Sequence, residues 1–180
     1  MAKKQKKSLY IAYSLMSLIL AIVVMAMMFV DGAAADSSKI VGYDMAFGGE
    51  LTSIKSPFSG SNIADLKLNF NTFLTLSFLL PLVLSLVALF LALGGNRKGL
   101  IFVNLFVFLV FVAAAVGFFT SVNTSSGEFT LTILGVVTKS TSTLKEAGYE
   151  LGIGSILAGS FATLGAFSTF TTTLVMIVKK

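Results

Sequence analysis

The sequence predicts an all-α membrane fold: a four-helix transmembrane bundle carrying a small extracellular antiparallel β-sheet built from its two outer loops. Three observations carry the prediction. Four stretches of the 180 residues are long and apolar enough to cross a hydrocarbon core of roughly 30 Å, which takes ~20 helical residues. Basic and acidic residues fall on opposite sides of those stretches. Two loop segments alternate polar and apolar residues, the period of a half-buried strand. Composition agrees, since 56% of residues are hydrophobic and only 12% are charged, against about 25% charged in a soluble domain.

The first span covers residues 8–30 and follows Lys3, Lys4, Lys6 and Lys7. Its basic start and Ala33-Ala34-Ala35 resemble a cleaved signal peptide. The apolar run is longer than the ~7–15 residues of a signal core, so the segment is expected to be retained. Outer loop one covers residues 31–71. Within it, 65–71 alternates without a break, and 39–47 and 51–54 are weaker strand candidates. Gly48-Gly49 reads as a hairpin turn between those two, and 57–61 as a further turn.

Span two covers residues 72–93 and contains Pro81, which frees a carbonyl and predicts a kink. Arg97 and Lys98 lie in the short turn before span three, residues 100–119. Asn104 in span three is expected to bond a Ser or Thr on a neighbouring helix. Outer loop two covers residues 120–150, and its segment 128–133 alternates. Asn123-Thr124-Ser125 is a glycosylation sequon that matters only in a eukaryotic secretory pathway.

A sheet of three or four strands follows from these segments, because two strands alone are marginal. Its apolar face would comprise Leu66, Leu68, Phe70, Phe129, Leu131 and Ile133 and rest on the outer helix ends. Such a sheet leaves an edge strand open to pairing.

Span four covers residues 151–178 and is rich in small residues. Gly154, Ala158, Ala162 and Ala166 recur every four positions, with Gly159 and Gly165 alongside. One smooth face of this kind lets helix backbones approach closely. It serves either packing within the chain or an assembly seam. Thr171, Thr172 and Thr173 are expected to bond their own helix backbone.

Orientation follows from charge. Lys3, Lys4, Lys6, Lys7, Arg97, Lys98, Lys179 and Lys180 share one side, with no acid among them. All eight acids, Asp31, Asp36, Asp44, Glu50, Asp65, Glu128, Glu146 and Glu150, share the other with the five remaining lysines. The positive-inside rule puts both termini and the short turn in the cytoplasm and both loops outside. The expected location is the plasma membrane, and residues 1–180 read as a single integral membrane domain.

The same inventory excludes chemistry. The sequence has no cysteine and no histidine, the commonest thiolate and imidazole groups for catalysis and metal binding. No span contains Asp, Glu, Lys or Arg, which counts against proton relays, voltage sensors and ion-coupled transport. Gly152-Ile153-Gly154 opens like a phosphate loop but has no predicted strand before it. No catalytic residue, cofactor or metal is expected. Nucleic-acid binding is not expected either, because no folded basic surface accompanies the lysine-rich tail.

Four spans, internal termini, a long first outer loop and strand-like outer segments together resemble the claudin-like tetraspan superfamily. The resemblance implies a left-handed four-helix bundle under a small extracellular sheet. That family's first-loop tryptophans and cysteine pair have no counterpart here, so it carries over no binding residue. Residues 41–48, after a Met-rich first span, are also similar to uncharacterised small four-helix membrane proteins of low-GC Gram-positive bacteria.

The expected function is non-enzymatic. Beyond the lipid bilayer, the partners would be further copies of the chain or a larger membrane protein, through self-assembly, adhesion or association. The competing expectation is an oligomeric channel or a transporter accessory subunit, with span four lining the path.

Overall fold

The structure, a computed structural model, describes residues 2–35, 38–55, 62–133 and 136–178. Four helices are long and apolar enough to cross a membrane: Lys7–Phe29, Thr72–Gly94, Arg97–Phe119 and Ile153–Val178. These are the marks of a multi-pass membrane protein. An apolar run inside lipid has no water to satisfy its N–H and C=O groups, so it closes those bonds within itself as a helix. At 1.5 Å per residue, 23 residues reach about 35 Å, enough for the hydrocarbon core.

In chain order, α1 is Ala2–Ala26, followed by a 3-10 turn, Met27–Phe29. Strands β1 (Asp31–Ala35) and β2 (Ser38–Val41) lead to a short helix α2 (Gly42–Phe47). Strands β3 (Gly49–Lys55) and β4 (Asn62–Leu68) precede helices α3 (Thr72–Gly94) and α4 (Arg97–Phe119). A single turn α5 (Ser121–Thr124), strands β5 (Ser126–Ile133), β6 (Val136–Thr143) and β7 (Glu150–Leu151), and helix α6 (Ile153–Val178) complete the chain.

The chain divides into two compact units. The first comprises Met1–Met27, Leu76–Phe118 and Leu157–Lys180; the second comprises Met28–Thr75 and Phe119–Ile156. This division matches the charge division in the sequence. All eight acids belong to the second unit, and the eight cations at the termini and the α3–α4 turn belong to the first.

In the first unit, Phe78 packs on Phe118 with ring centroids 4.6 Å apart, and Phe108 meets Phe170 at 5.4 Å. Ser17 and Ser85 share a buried hydrogen bond of 3.2 Å. The turn after α3 is compact because Gly95 adopts φ +72°, which a side chain would resist. The Asn96 N–H then reaches Leu91 O and the Gly95 N–H reaches Ala92 O, both at 3.1 Å, a Schellman closure. Asn96 also starts α4, its Oδ1 accepting the Gly99 N–H at 3.1 Å. Arg97 Nη2 donates to the Met176 carbonyl of α6.

In the second unit, two antiparallel sheets form, ordered β2-β1-β7 and β3-β4-β5-β6. Segment 128–133 forms part of β5, as its alternation predicts, but of segment 65–71 only 65–68 is strand, because β4 ends at Leu68 and residues 69–71 lead into α3. Other expectations are corrected. Segment 39–47 is not one strand: β2 ends at Val41 and the chain turns into α2. Gly48 is not half of a hairpin turn. It closes α2 at φ +76°, its N–H bonding Asp44 O at 2.9 Å, and Gly49 already belongs to β3. Span four starts two residues late, because Leu151 pairs with Ala33 in the first sheet. The turn expected at 57–61 lies outside the described residues.

Candidate interaction surface

The four-stranded sheet is set by its pairings. Leu66 of β4 faces Phe129 of β5, Leu68 faces Gly127, and Ala64 faces Leu131. Residues two apart share a face, so Leu66, Leu68, Phe129 and Leu131 line one side of the sheet. The site of Gly127 is close-packed: a Cβ on it would sit 2.8 Å from Leu66 Cδ1 and 3.0 Å from Lys67 O.

Cover over this face fades toward the β5–β6 hairpin. Leu68 is 3% exposed, Leu66 and Phe129 are half-buried, and Leu131 is 44% exposed. Phe70 leaves the ladder altogether, because β4 ends at Leu68, and its ring stands exposed beside Phe47. The Ile133 side chain lies outside the described residues.

Strand β6 is an edge. It pairs with β5 from Ser126↔Thr143 to Ile133↔Val136 and has no strand on its other side among the described residues. Its residues from Val136 to Thr141 are all exposed, which in a strand means both faces are open. Val136, 66% exposed, and Val137 stand at the hairpin end.

The opposite face carries a row of alternating charge. Glu50 pairs in register with Lys67, Lys67 with Glu128, and Lys139 lies diagonally across β6. Lys67 Nζ is 3.8 Å from Glu50 Oε1, and Lys139 Nζ is 3.1 Å from Glu128 Oε1. These pairs are solvated, so each contributes at most ~1 kcal/mol. Their value lies in register, since a slip of one residue turns every charge to the apolar face. Sequence reasoning missed this row, although Lys67 and Glu128 already stood at polar positions of the alternating segments.

Around the sheets, side chains cap what the strands leave open. Asn71 Oδ1 accepts the Leu74 N–H at 3.0 Å, while its Nδ2 donates to Ser125 Oγ at 3.0 Å and Thr124 Oγ1 at 3.3 Å. Thr143 and Glu146 cap each other: the Thr143 N–H donates to Glu146 Oε2 at 2.8 Å, and the Glu146 N–H donates to Thr143 Oγ1 at 3.3 Å. The Thr143 backbone bond, and then its hydroxyl, hold the Glu146 carboxyl below its ordinary value. Asp31 sits 2.8 Å from Lys39, and that hydrogen bond, reinforced by its charge, holds the ammonium above its ordinary value.

The six small residues of α6 are all buried. Ala158 and Ala162 are fully enclosed and Ala166 nearly so. A Cβ on Gly165 would sit 2.5 Å from the Phe111 ring. A Cβ on Gly154 would sit 2.9 Å from the carbonyls of Val30 and Asp31, and one on Gly152 would overlap the Asp31 carbonyl. A strand, β7, does precede Gly152, and the glycines around it serve close backbone approach. Ser155 Oγ donates to Gly32 O at 2.8 Å and accepts from Ser121 Oγ at 3.1 Å. Thr171, Thr172 and Thr173 bond the carbonyls four residues back, as expected. Asn104 is buried in α4.

Among the described residues, no group of three or more acids is placed to hold a metal ion. The chain matches no family model, no curated protein and no solved structure.

Proposed function

We propose that this chain is a non-enzymatic membrane protein that acts through contacts: self-assembly, adhesion, or association with a larger membrane protein. The observation that carries this reading is β6, an eight-residue edge strand open on both faces and ending in exposed valines. A strand edge offers a row of backbone donors and acceptors to an incoming strand, and flanking apolar side chains add affinity. Lys139 in mid-strand keeps such an edge from pairing indiscriminately. The small-residue face of α6 is taken up within the chain at Gly154 and Gly165, which leaves the sheet edge as the better contact surface.

In this reading the membrane is the plasma membrane, the lysine-flanked ends are cytoplasmic and the sheets face outward, in a claudin-like arrangement. Segregation of every acid into the sheet-bearing unit supports that orientation. The absence of cysteine makes the test clean. Single cysteines at Val136→Cys and Thr138→Cys, compared with Leu174→Cys on α6, are treated with a membrane-impermeant crosslinker in native membranes. The expected result is a crosslinked species from the β6 positions. Only monomer at every position, or β6 cysteines shielded from the reagent in intact cells, would overturn the reading.

A further inference from the structure

Helix α2 holds two aromatic rings in a row with a third, Phe70, from a neighbouring loop. Tyr43 and Phe47 are 4.9 Å apart between ring centroids, and Phe47 and Phe70 are 6.3 Å apart. Met45 and Ala46, on the other side of α2, are completely buried. Tyr43 stays 45% exposed and Phe70 58% exposed. Aromatic side chains carry 150–250 Å² of surface each, roughly, so leaving them in water forgoes a large stabilisation.

Hydrogen bonds tie both ends of this short helix to neighbouring segments. The Gly42 N–H at the start of α2 bonds Val30 O at 3.0 Å, and Val30 directly follows the apolar helix Lys7–Phe29. At the other end, Ala46 O accepts the Asn71 N–H at 3.0 Å and the Thr75 hydroxyl at 2.9 Å. Asn71 is the cap that starts the apolar helix Thr72–Gly94. Both ends of α2 are therefore tied to residues at the ends of two apolar helices long enough to cross a membrane. A segment held there meets the headgroup boundary, where amphipathic rings are enriched. Half-buried Asp44, in the middle of α2, resists deeper insertion.

We propose that Tyr43, Phe47 and Phe70 form an aromatic anchor that rests in the headgroup boundary of the bilayer, with lipid as its occupant. Its role is to seat loop one on the membrane. The proposal does not depend on which compartment the loops face, nor on pairing at β6.

The chain has no tryptophan, so one introduced residue is an unambiguous reporter. Phe70→Trp and Tyr43→Trp, with Val136→Trp as a control at the exposed hairpin, are reconstituted in phosphatidylcholine vesicles. Some vesicles carry lipid brominated near the headgroup, others lipid brominated near the chain end. Circular dichroism confirms retained helix content, and either reporter alone suffices if the other variant misfolds. The expected result is quenching at positions 43 and 70 several-fold stronger by the shallow bromines, and none at 136. Two results would overturn the proposal: water-like, unquenched emission at 43 and 70, or quenching that yields to protection as protein-to-lipid ratio rises, which would make a second copy the occupant.

Discussion

In the span-bearing unit the backbone is satisfied within each helix, whereas in the loop-bearing unit it is satisfied between segments far apart in sequence. Apart from the Ser17–Ser85 and Arg97–Met176 bonds, the first unit rests on side-chain fit: Gly165 under Phe111, Ala158 and Ala162 fully enclosed, Phe78 on Phe118. The second unit needs named polar partners: Asn71 to Ser125, Ser155 to Gly32, Gly42 to Val30. The difference teaches where each unit is brittle. Added volume breaks the first, and one lost hydrogen-bonding group or one added atom against rigid backbone breaks the second.

The largest expected effect tests the first unit. Ala158→Leu combined with Ala162→Leu puts two large side chains where none of the original surface is exposed. Overpacking costs about 1–3 kcal/mol per site, and neighbouring sites on one face compound it. We expect loss of folded protein in detergent, read by circular dichroism during thermal unfolding. Unchanged stability would show that the small-residue face is not packed.

A matched pair of glycine substitutions sharpens the contrast. On Gly152 a new Cβ overlaps the Asp31 carbonyl and its flanking backbone, which has nowhere to go. On Gly165 it meets the Phe111 ring, a side chain able to rotate by a small angle. Gly152→Ala should therefore cost more than Gly165→Ala, about 3 kcal/mol against about 1. Equal losses in denaturant titrations of the two variants would erase the distinction between backbone-limited and side-chain-limited packing.

Asn71→Ala tests the polar side of the comparison. It removes the cap on α3 and the bonds to Thr124 and Ser125 together, and takes the partner from one buried donor, the Leu74 N–H, and one buried acceptor, Ser125 Oγ. The expected loss is about 2 kcal/mol. Hydrogen exchange should rise in the loop-bearing unit before it rises in the spans. Uniform acceleration across both would mean that the two units open as one.

The same contrast explains what was legible in the sequence. The spans were legible because lipid imposes one requirement, length and apolarity, on every residue of a run. Strands β4 and β5 were legible because each has one covered and one open face. Strand β6 was not, since Val136 to Thr141 are exposed on both faces and nothing forces alternation. Strand β1 is Asp-Gly-Ala-Ala-Ala, which has weak strand preference, and its place comes from Ala33 fitting between Ile40 and Leu151. Helix α2 spans six residues, too few for a 3.6-residue period to declare itself against the preceding strand. The small residues of α6 announced a packing face, but its neighbours, the backbone at Val30–Asp31 and the Phe111 ring, are set by tertiary structure alone.

The smallest expected effect lies in the turn after β6. There Thr143 and Glu146 cap each other, and the backbone bond from Thr143 holds the Glu146 carboxyl below its ordinary value. A depressed carboxylate adds stability that is present above its unfolded-state value and is lost as pH falls through the folded-state value. Acidification should therefore lower amide protection factors across residues 143–150, after correction for the intrinsic pH dependence of exchange, while the spans, which contain no carboxylate, keep theirs. Glu146→Gln keeps an acceptor for the Thr143 N–H but cannot titrate. It should exchange slightly faster than the parent at neutral pH, and the gap should close in acid. A gap that widens in acid would show that the Glu146 charge opposes the turn, and that the reciprocal cap contributes nothing to holding β6 in place.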